Sequence, residues 1–249
     1  MKRGFTLVEL SIVLVIIGLL IGGILVAQSM METAKIQAQI RQIQQFDIAK
    51  RNFKTKYNQL PGDCNICNRS YDADGSVGNG NGFLNDVNNS NPPGYIWNEP
   101  YQYFIDLGSM GAIKDTYIFQ AGTYNIGAGA QFPVAAIGKG GVIITGNSAG
   151  DVFYTFMPVP SPDGTYASSL TGDMSAAESL AIDTKVDDGN PSTGDVVVVT
   201  SSPGASTDYY PLVLESGNNT CINTGTPNTY NTANTNPALC TIMIKAENY

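Results

Sequence analysis

The chain has 249 residues, no histidine, and 21 acidic against 13 basic side chains, for a formal charge of −8. Without an imidazole, Ser-His-Asp triads, Cys-His pairs and every His-ligated zinc site are excluded. The acidic excess also opposes nucleic-acid binding, which leans on clustered Lys and Arg to neutralise phosphates; a carboxylate pair of the glycosidase kind stays possible in principle, but no pair is singled out, so no enzyme is expected.

Met1-Lys2-Arg3-Gly4 forms a short basic leader before an apolar run from Phe5 to Val26, 22 residues with Glu9 as the only charge. At ~1.5 Å per residue such a helix crosses a ~30 Å hydrocarbon layer. A carboxylate inside it costs about 2.5 to 3.5 kcal/mol on insertion scales and needs a partner. Cleavage after Gly4 would supply one, because the new amino terminus on Phe5 is a positive charge at the depth of Glu9. One subunit's terminus would then pair with a neighbour's Glu9 inside a helical stack. An ordinary secretory signal has a longer charged region and a small-residue cleavage site behind a shorter apolar core, and leaves Glu9 unexplained. The basic residues before the run orient the amino terminus to the cytoplasm and everything beyond about residue 27 outside. Loss of Lys2 and Arg3 leaves 11 basic against 21 acidic side chains, a mature charge of −10.

Lys2-Arg3-Gly4-Phe5-Thr6-Leu7-Val8-Glu9 resembles the processing site of type IV prepilins and of the pseudopilins of type II secretion systems. The resemblance implies a prepilin peptidase that cuts after Gly4 and methylates Phe5, with Glu9 as the assembly glutamate. It implies other pilin or pseudopilin subunits, inner-membrane assembly machinery and membrane lipid as partners. The location implied is the bacterial inner membrane, single-pass, then a pilus or periplasmic pseudopilus filament. Many pilins carry a proline where this chain has Val26; Gly18, Gly22 and Gly23 are expected to provide flexibility instead. The division expected is a leader at 1–4, an assembly half of the helix at 5–26, an amphipathic half at 27–60 and an extracytoplasmic head at 61–249. A membrane-anchored adhesin or ligand-binding module on the same stalk is the alternative.

Beyond the apolar run, Ile36, Ile40, Ile43, Phe46, Phe53, Tyr57 and Leu60 recur at spacings of three, four or seven, the stripe of an amphipathic helix. One helix is predicted from about 5 to 57, stopped by Pro61-Gly62. Lys50, Arg51, Lys54 and Lys56 read as a solvated, basic end of that helix, suited to its dipole. Residues 61–98, rich in Gly, Asn and Asp, read as a long irregular loop. Tyr57 to Asp63 and Gly78 to Gly82 are similar to segments of pseudopilin-like sequences. Asn98 is expected to cap a short helix over Pro100 to Gly108. Strands are predicted at Gly141–Thr145, Val152–Val159, Asp195–Thr200, Pro211–Glu215 and Cys240–Ala246, and a helix or turn segment at Asp173–Val186. The class expected is α+β, pilin-like: the long N-terminal helix packed on an antiparallel β-sheet head.

Cys64, Cys67, Cys221 and Cys240 allow three pairings in an oxidising compartment. Cys221 with Cys240 is favoured, because it closes a floppy Asn/Thr-rich stretch. Cys64-Asn65-Ile66-Cys67 has redox spacing but reads as structural, since no helix opens there between strands. Asp72 and Asp74 alternate as in a calcium loop, although the glycine comes fourth rather than sixth and the twelfth position is Phe83. Asp183, Asp187 and Asp188 form a second acidic cluster, and calcium occurs in the heads of some secretion pseudopilins that the chain resembles. Tyr95, Trp97, Tyr101 and Tyr103 are a candidate ligand platform, with core packing the commoner fate of such aromatics.

Overall fold

A computed structural model describes residues 6–67, 78–84, 99–114, 132–138, 140–146, 151–157, 174–199, 221–223, 225, 227–236 and 240–246. Its longest element is α1, Leu7–Tyr57, one uninterrupted helix of 51 residues that is about 77 Å long at ~1.5 Å rise per residue. Every residue from 6 to 35 is exposed. From Ile36 onward a buried stripe appears at Ile36, Gln39, Ile43, Phe46, Asp47, Lys50 and Phe53, with Ile40 and Tyr57 partly buried against the same core. That is the amphipathic stripe the spacing predicts, with three polar residues inserted into it.

The helix ends at the predicted residue, Tyr57, but by a different stop from the predicted one. Asn58 adopts the left-handed conformation (φ 54°, ψ 25°) and its N–H donates to the Lys54 carbonyl at 2.8 Å, a capping geometry that Asn tolerates better than most residues. Pro61-Gly62 therefore does not stop α1. Gly62, with φ +88°, is needed for a different reason: a Cβ there would collide with the Glu99 carbonyl oxygen at the start of the next helix. The 61–64 segment is buried rather than solvated, and among the described residues of 61–98 there is no helix or strand.

α2, Glu99–Ser109, agrees with the predicted short helix; its expected cap, Asn98, lies outside the described residues. Phe104 of α2 meets Phe46 of α1 edge-on, with ring centroids 5.1 Å apart. β1 (Gly141–Gly146), β2 (Val152–Met157), β3 (Val196–Val199) and β6 (Thr241–Lys245) form an antiparallel sheet in the order β1-β2-β6-β3. Two short strands between them in sequence, β4 (Ile222–Asn223) and β5 (Thr229–Tyr230), pair separately. Register sets the faces: Ile144, Tyr154, Ile244 and Val196 stand directly opposite one another along three seams, so they share the face that receives α1. The ring of Tyr154 lies 5.8 Å from that of Phe46. Burying each such large side chain is worth roughly 1.5 to 3 kcal/mol over leaving it exposed. The architecture is α+β, a long apolar N-terminal helix followed by an antiparallel head. The strand predicted at Pro211–Glu215 lies outside the described residues.

α3, Ala176–Val186, starts with a capping box in which Ser175 Oγ accepts from Glu178 N–H and Glu178 Oε2 accepts from Ser175 N–H at 2.8 Å. Both cysteine pairs are joined. Cys221–Cys240 ties the β4/β5 pair to the start of β6, and Cys64–Cys67 closes a four-residue ring after α1.

Candidate assembly site

Gly4 and Phe5, the residues expected to be cut and methylated, lie outside the described residues. Glu9 sits in the first turn of α1 in a capping box with Thr6. The Thr6 N–H and hydroxyl both donate to Glu9 Oε2 at 2.8 Å, and Thr6 Oγ1 accepts from Glu9 N–H at 3.3 Å. The first turn of a helix has N–H groups without intrahelical partners, and the box meets part of that deficit while the dipole favours the acid. The signature Thr-x-x-Glu is legible in the sequence, but there the cost of a carboxylate in an apolar run overshadows its use as a cap. Behind it stands a fully exposed apolar surface, Leu7 at 86 % and Leu19 at 73 % among the extremes. A window of α1 reaches a mean hydropathy of 3.0 and is long and apolar enough to cross a membrane.

The head half of α1 is fixed by polar groups along its inner face. Gln39 and Gln42 grip the backbone of 134–137: Gln42 Nε2 donates to the Val134 carbonyl at 2.7 Å and Gln42 Oε1 accepts from Ala136 N–H at 2.9 Å, while Gln39 Oε1 accepts from Ile137 N–H. Asp47 accepts from the Tyr154 hydroxyl at 3.0 Å, which lies 3.2 Å from the Tyr103 hydroxyl. Burial holds the Asp47 carboxyl above its ordinary range, opposed by that hydrogen bond and by the charges of Lys50 and Arg51. Lys50 is not part of a solvated end. It is buried, and burial pushes its amine down to about 8, partly offset by Asp47. Lys54 and Lys56 are exposed as expected. Tyr103 is fully buried in the core and cannot serve a surface platform; Tyr95 and Trp97 lie outside the described residues, as does the side chain of Tyr101.

Asp63 is buried beneath the Gly78 to Gly82 segment. Its Oδ1 accepts from Gly80 and Asn81 N–H at 2.6 and 3.2 Å, and its Oδ2 from Gly82 N–H at 2.6 Å. The two segments similar to pseudopilin sequences are thus one structural unit, a glycine-rich strap folded over one carboxylate. Asp72 and Asp74 lie outside the described residues. Oxygens of Asp183, Asp187 and Asp188 come within 4.8 Å of one another, but each carboxylate serves the surrounding turn. Asp183 accepts from Gly189 N–H and the Tyr230 hydroxyl, Asp187 from the N–H groups of Asp195 and Val196, and Asp188 from Asn190 N–H and the Thr193 hydroxyl. These bonds give the three carboxylates a structural part in the turn.

Residues 1–25 match the family model of the prokaryotic N-terminal methylation motif, which supports a type IV pilin-like protein. Proteins with this motif are structural rather than catalytic. No curated protein matches the chain, and no solved structure matches it.

Proposed function

We propose that the chain is a structural subunit of a type IV pilus-like or type II secretion pseudopilus filament. Residues 1–4 are the leader, removed by a prepilin peptidase after Gly4, with methylation of Phe5. Residues 5–26 hold the subunit in the inner membrane and later pack in the filament, 27–60 carry the head, and 61–249 form that head outside the cytoplasm. The observation that carries this reading is a methylation-motif start on a helix whose first half is apolar, exposed and interrupted only by Glu9. A surface this apolar has two stable environments, lipid and other copies of itself. The role is mechanical and needs no cofactor.

Processing tests it. Mass spectrometry of the cellular protein is expected to find a chain beginning at N-methylated Phe5, and Gly4→Val is expected to leave the leader attached. A mature terminus near Ala27 instead would overturn the reading in favour of a cleaved secretory signal.

A further inference from the structure

The two disulfides differ in reach and in access. Cys64–Cys67 closes a sequence separation of 3 and Cys221–Cys240 one of 19, so in the chain-entropy account the first adds less to global stability. Cys221 and Cys240 are buried, at 4 % and 0 % exposure, and so is Cys64; Cys67 is only partly buried, and Asn65 and Ile66 between the paired cysteines are exposed. Thiol–disulfide exchange depends on access to the attacked sulfur, and of the four cysteines Cys67 alone falls outside the buried set. The short ring is also the bed on which the glycine strap lies. Gln59 holds Asn65 at two points, accepting from its N–H at 3.0 Å and donating to its Oδ1 at 2.8 Å, and Asn65 Nδ2 donates to the Asn79 carbonyl at 3.2 Å. A Cβ at Gly78 would collide with the backbone of Asp63 and Cys64, and one at Gly80 would press on the side-chain amides of Asn65 and Gln59. The N–H groups of Gly80, Asn81 and Gly82 converge on the Asp63 carboxylate, one residue before Cys64.

We propose that Cys64–Cys67 is a thiol–disulfide exchange site on the folded head, opened by a dithiol that attacks at Cys67, and that its state decides whether the 78–82 strap is held down on Asp63. In the first step a thiolate of the dithiol bonds to Cys67 Sγ; the Cys64–Cys67 bond breaks, its electron pair stays on Cys64 Sγ, and that sulfur takes a proton. The second thiolate of the dithiol then attacks the sulfur now joined to Cys67, and Cys67 leaves and is protonated. The head gains two electrons and two protons, the dithiol departs as a disulfide, and the reverse sequence closes the ring. The bridge is the substrate of this exchange and not its catalyst. With the ring open, residues 65–67 regain backbone freedom, Asn65 is no longer fixed beneath the Asn79 carbonyl, and the Asp63–Cys64 backbone against which Gly78 rests is released. The main sheet is spared, because the bridge at the start of β6 is the buried Cys221–Cys240. None of this depends on the filament role.

The oxidised full chain in detergent micelles is treated with dithiothreitol under native conditions, quenched with an alkylating agent at intervals and mapped by peptide mass spectrometry. Cys64 and Cys67 are expected to be alkylated about tenfold faster than Cys221 and Cys240, or faster still. Equal rates at the two bridges, or Cys221–Cys240 opening first, would overturn the exchange site. At the stage where only Cys64–Cys67 is open, amide hydrogen exchange at Gly80, Asn81 and Gly82 is expected to rise about tenfold while the β1–β2 ladder keeps its protection. Strap amides as protected as in the oxidised chain would overturn the control of the strap, and so would a loss of protection that spreads to β1 and β2, since the bridge would then be a support of the whole head. The double variant Cys64→Ser, Cys67→Ser is expected to show the fast strap exchange without reductant and no further change when dithiothreitol is added. A strap as protected in that variant as in the oxidised wild type would overturn the proposal, and the wild-type comparison decides it alone where the variant does not fold.

Discussion

The two halves of α1 share one backbone and solve opposite problems. From 6 to 35 no side chain is buried, and from Leu7 to Ala27 Glu9 is the only charge; from 36 to 57 the buried stripe includes Gln39, Asp47 and Lys50. The apolar run, without a core of its own, is nearly free of charge, while the half with a core carries polar groups inside it. Burial in a head permits this because the head brings partners, whereas lipid brings none. Glu9 is the only charge in the apolar run, and it is bonded to a partner one turn away.

The contrast breaks most severely at Glu9. Glu9→Leu is expected to accumulate in the inner membrane yet fall on the order of 100-fold in filament incorporation, since a close charge pair at a partly screened site is worth several kcal/mol. Sheared filaments analysed by quantitative mass spectrometry give the ratio. Next in size, Phe46→Ala removes a ring that touches both Phe104 and Tyr154, and denaturant unfolding of the full chain in micelles is expected to show a loss of about 3 to 5 kcal/mol. Leu20→Ala, in the exposed half, is expected to change head stability by less than about 0.5 kcal/mol.

Cys221→Ser opens a loop with a sequence separation of 19 and is expected to cost about 3 kcal/mol in the chain-entropy account, read as a lower melting temperature. Lys50 gives the most diagnostic effect. Its folded-state amine titrates near 8, below its ordinary 10.5, so between those values the unfolded chain binds more protons than the folded one. Stability contributed through this group must therefore rise with pH across that window. The difference in unfolding free energy between wild type and Lys50→Met, measured at intervals from pH 7 to about 11, is expected to shift in favour of wild type as pH rises. A flat difference would place Lys50 in solvent, as the sequence reading had it.

The hydrophobic stripe, α2, α3 and the four strands of the main sheet were legible because each repeats a local period or sits between turn residues. The motif at residues 2–9 was legible because its chemistry is local. What escaped was non-local. Nothing near Asp47 announces Tyr154, 107 positions away, and nothing near Gln39 announces the backbone at Ile137, so polar residues on the stripe read as its solvent edge. The end of α1 falls at the predicted residue, but its cap escaped because Pro61-Gly62 is a louder signal than one Asn in a left-handed turn. β4 and β5 are two residues each, too short for any alternation to register. The two parts of the strap, Tyr57 to Asp63 and Gly78 to Gly82, were visible as separate segments, but nothing in either announced that one folds over the carboxylate of the other.

β6 has a consequence for how the head can be made. It is the last strand among the described residues, yet it lies between β2 and β3 and is the element that joins them. Long-range pairing of this kind comes late in folding, because the closure entropy must be met before any contact offsets it. Synthesis up to residue 239 therefore yields a β1–β2 hairpin and a separate β3, each presenting an unpaired edge of the kind that seeds aggregation. A ribosome that stops short of Cys240 releases a chain with its membrane helix complete and its sheet split, also lacking the partner for Cys221. Such a product carries both an open strand edge and a free thiol, which makes it readily distinguishable to a protease or a chaperone from a subunit fit to be assembled.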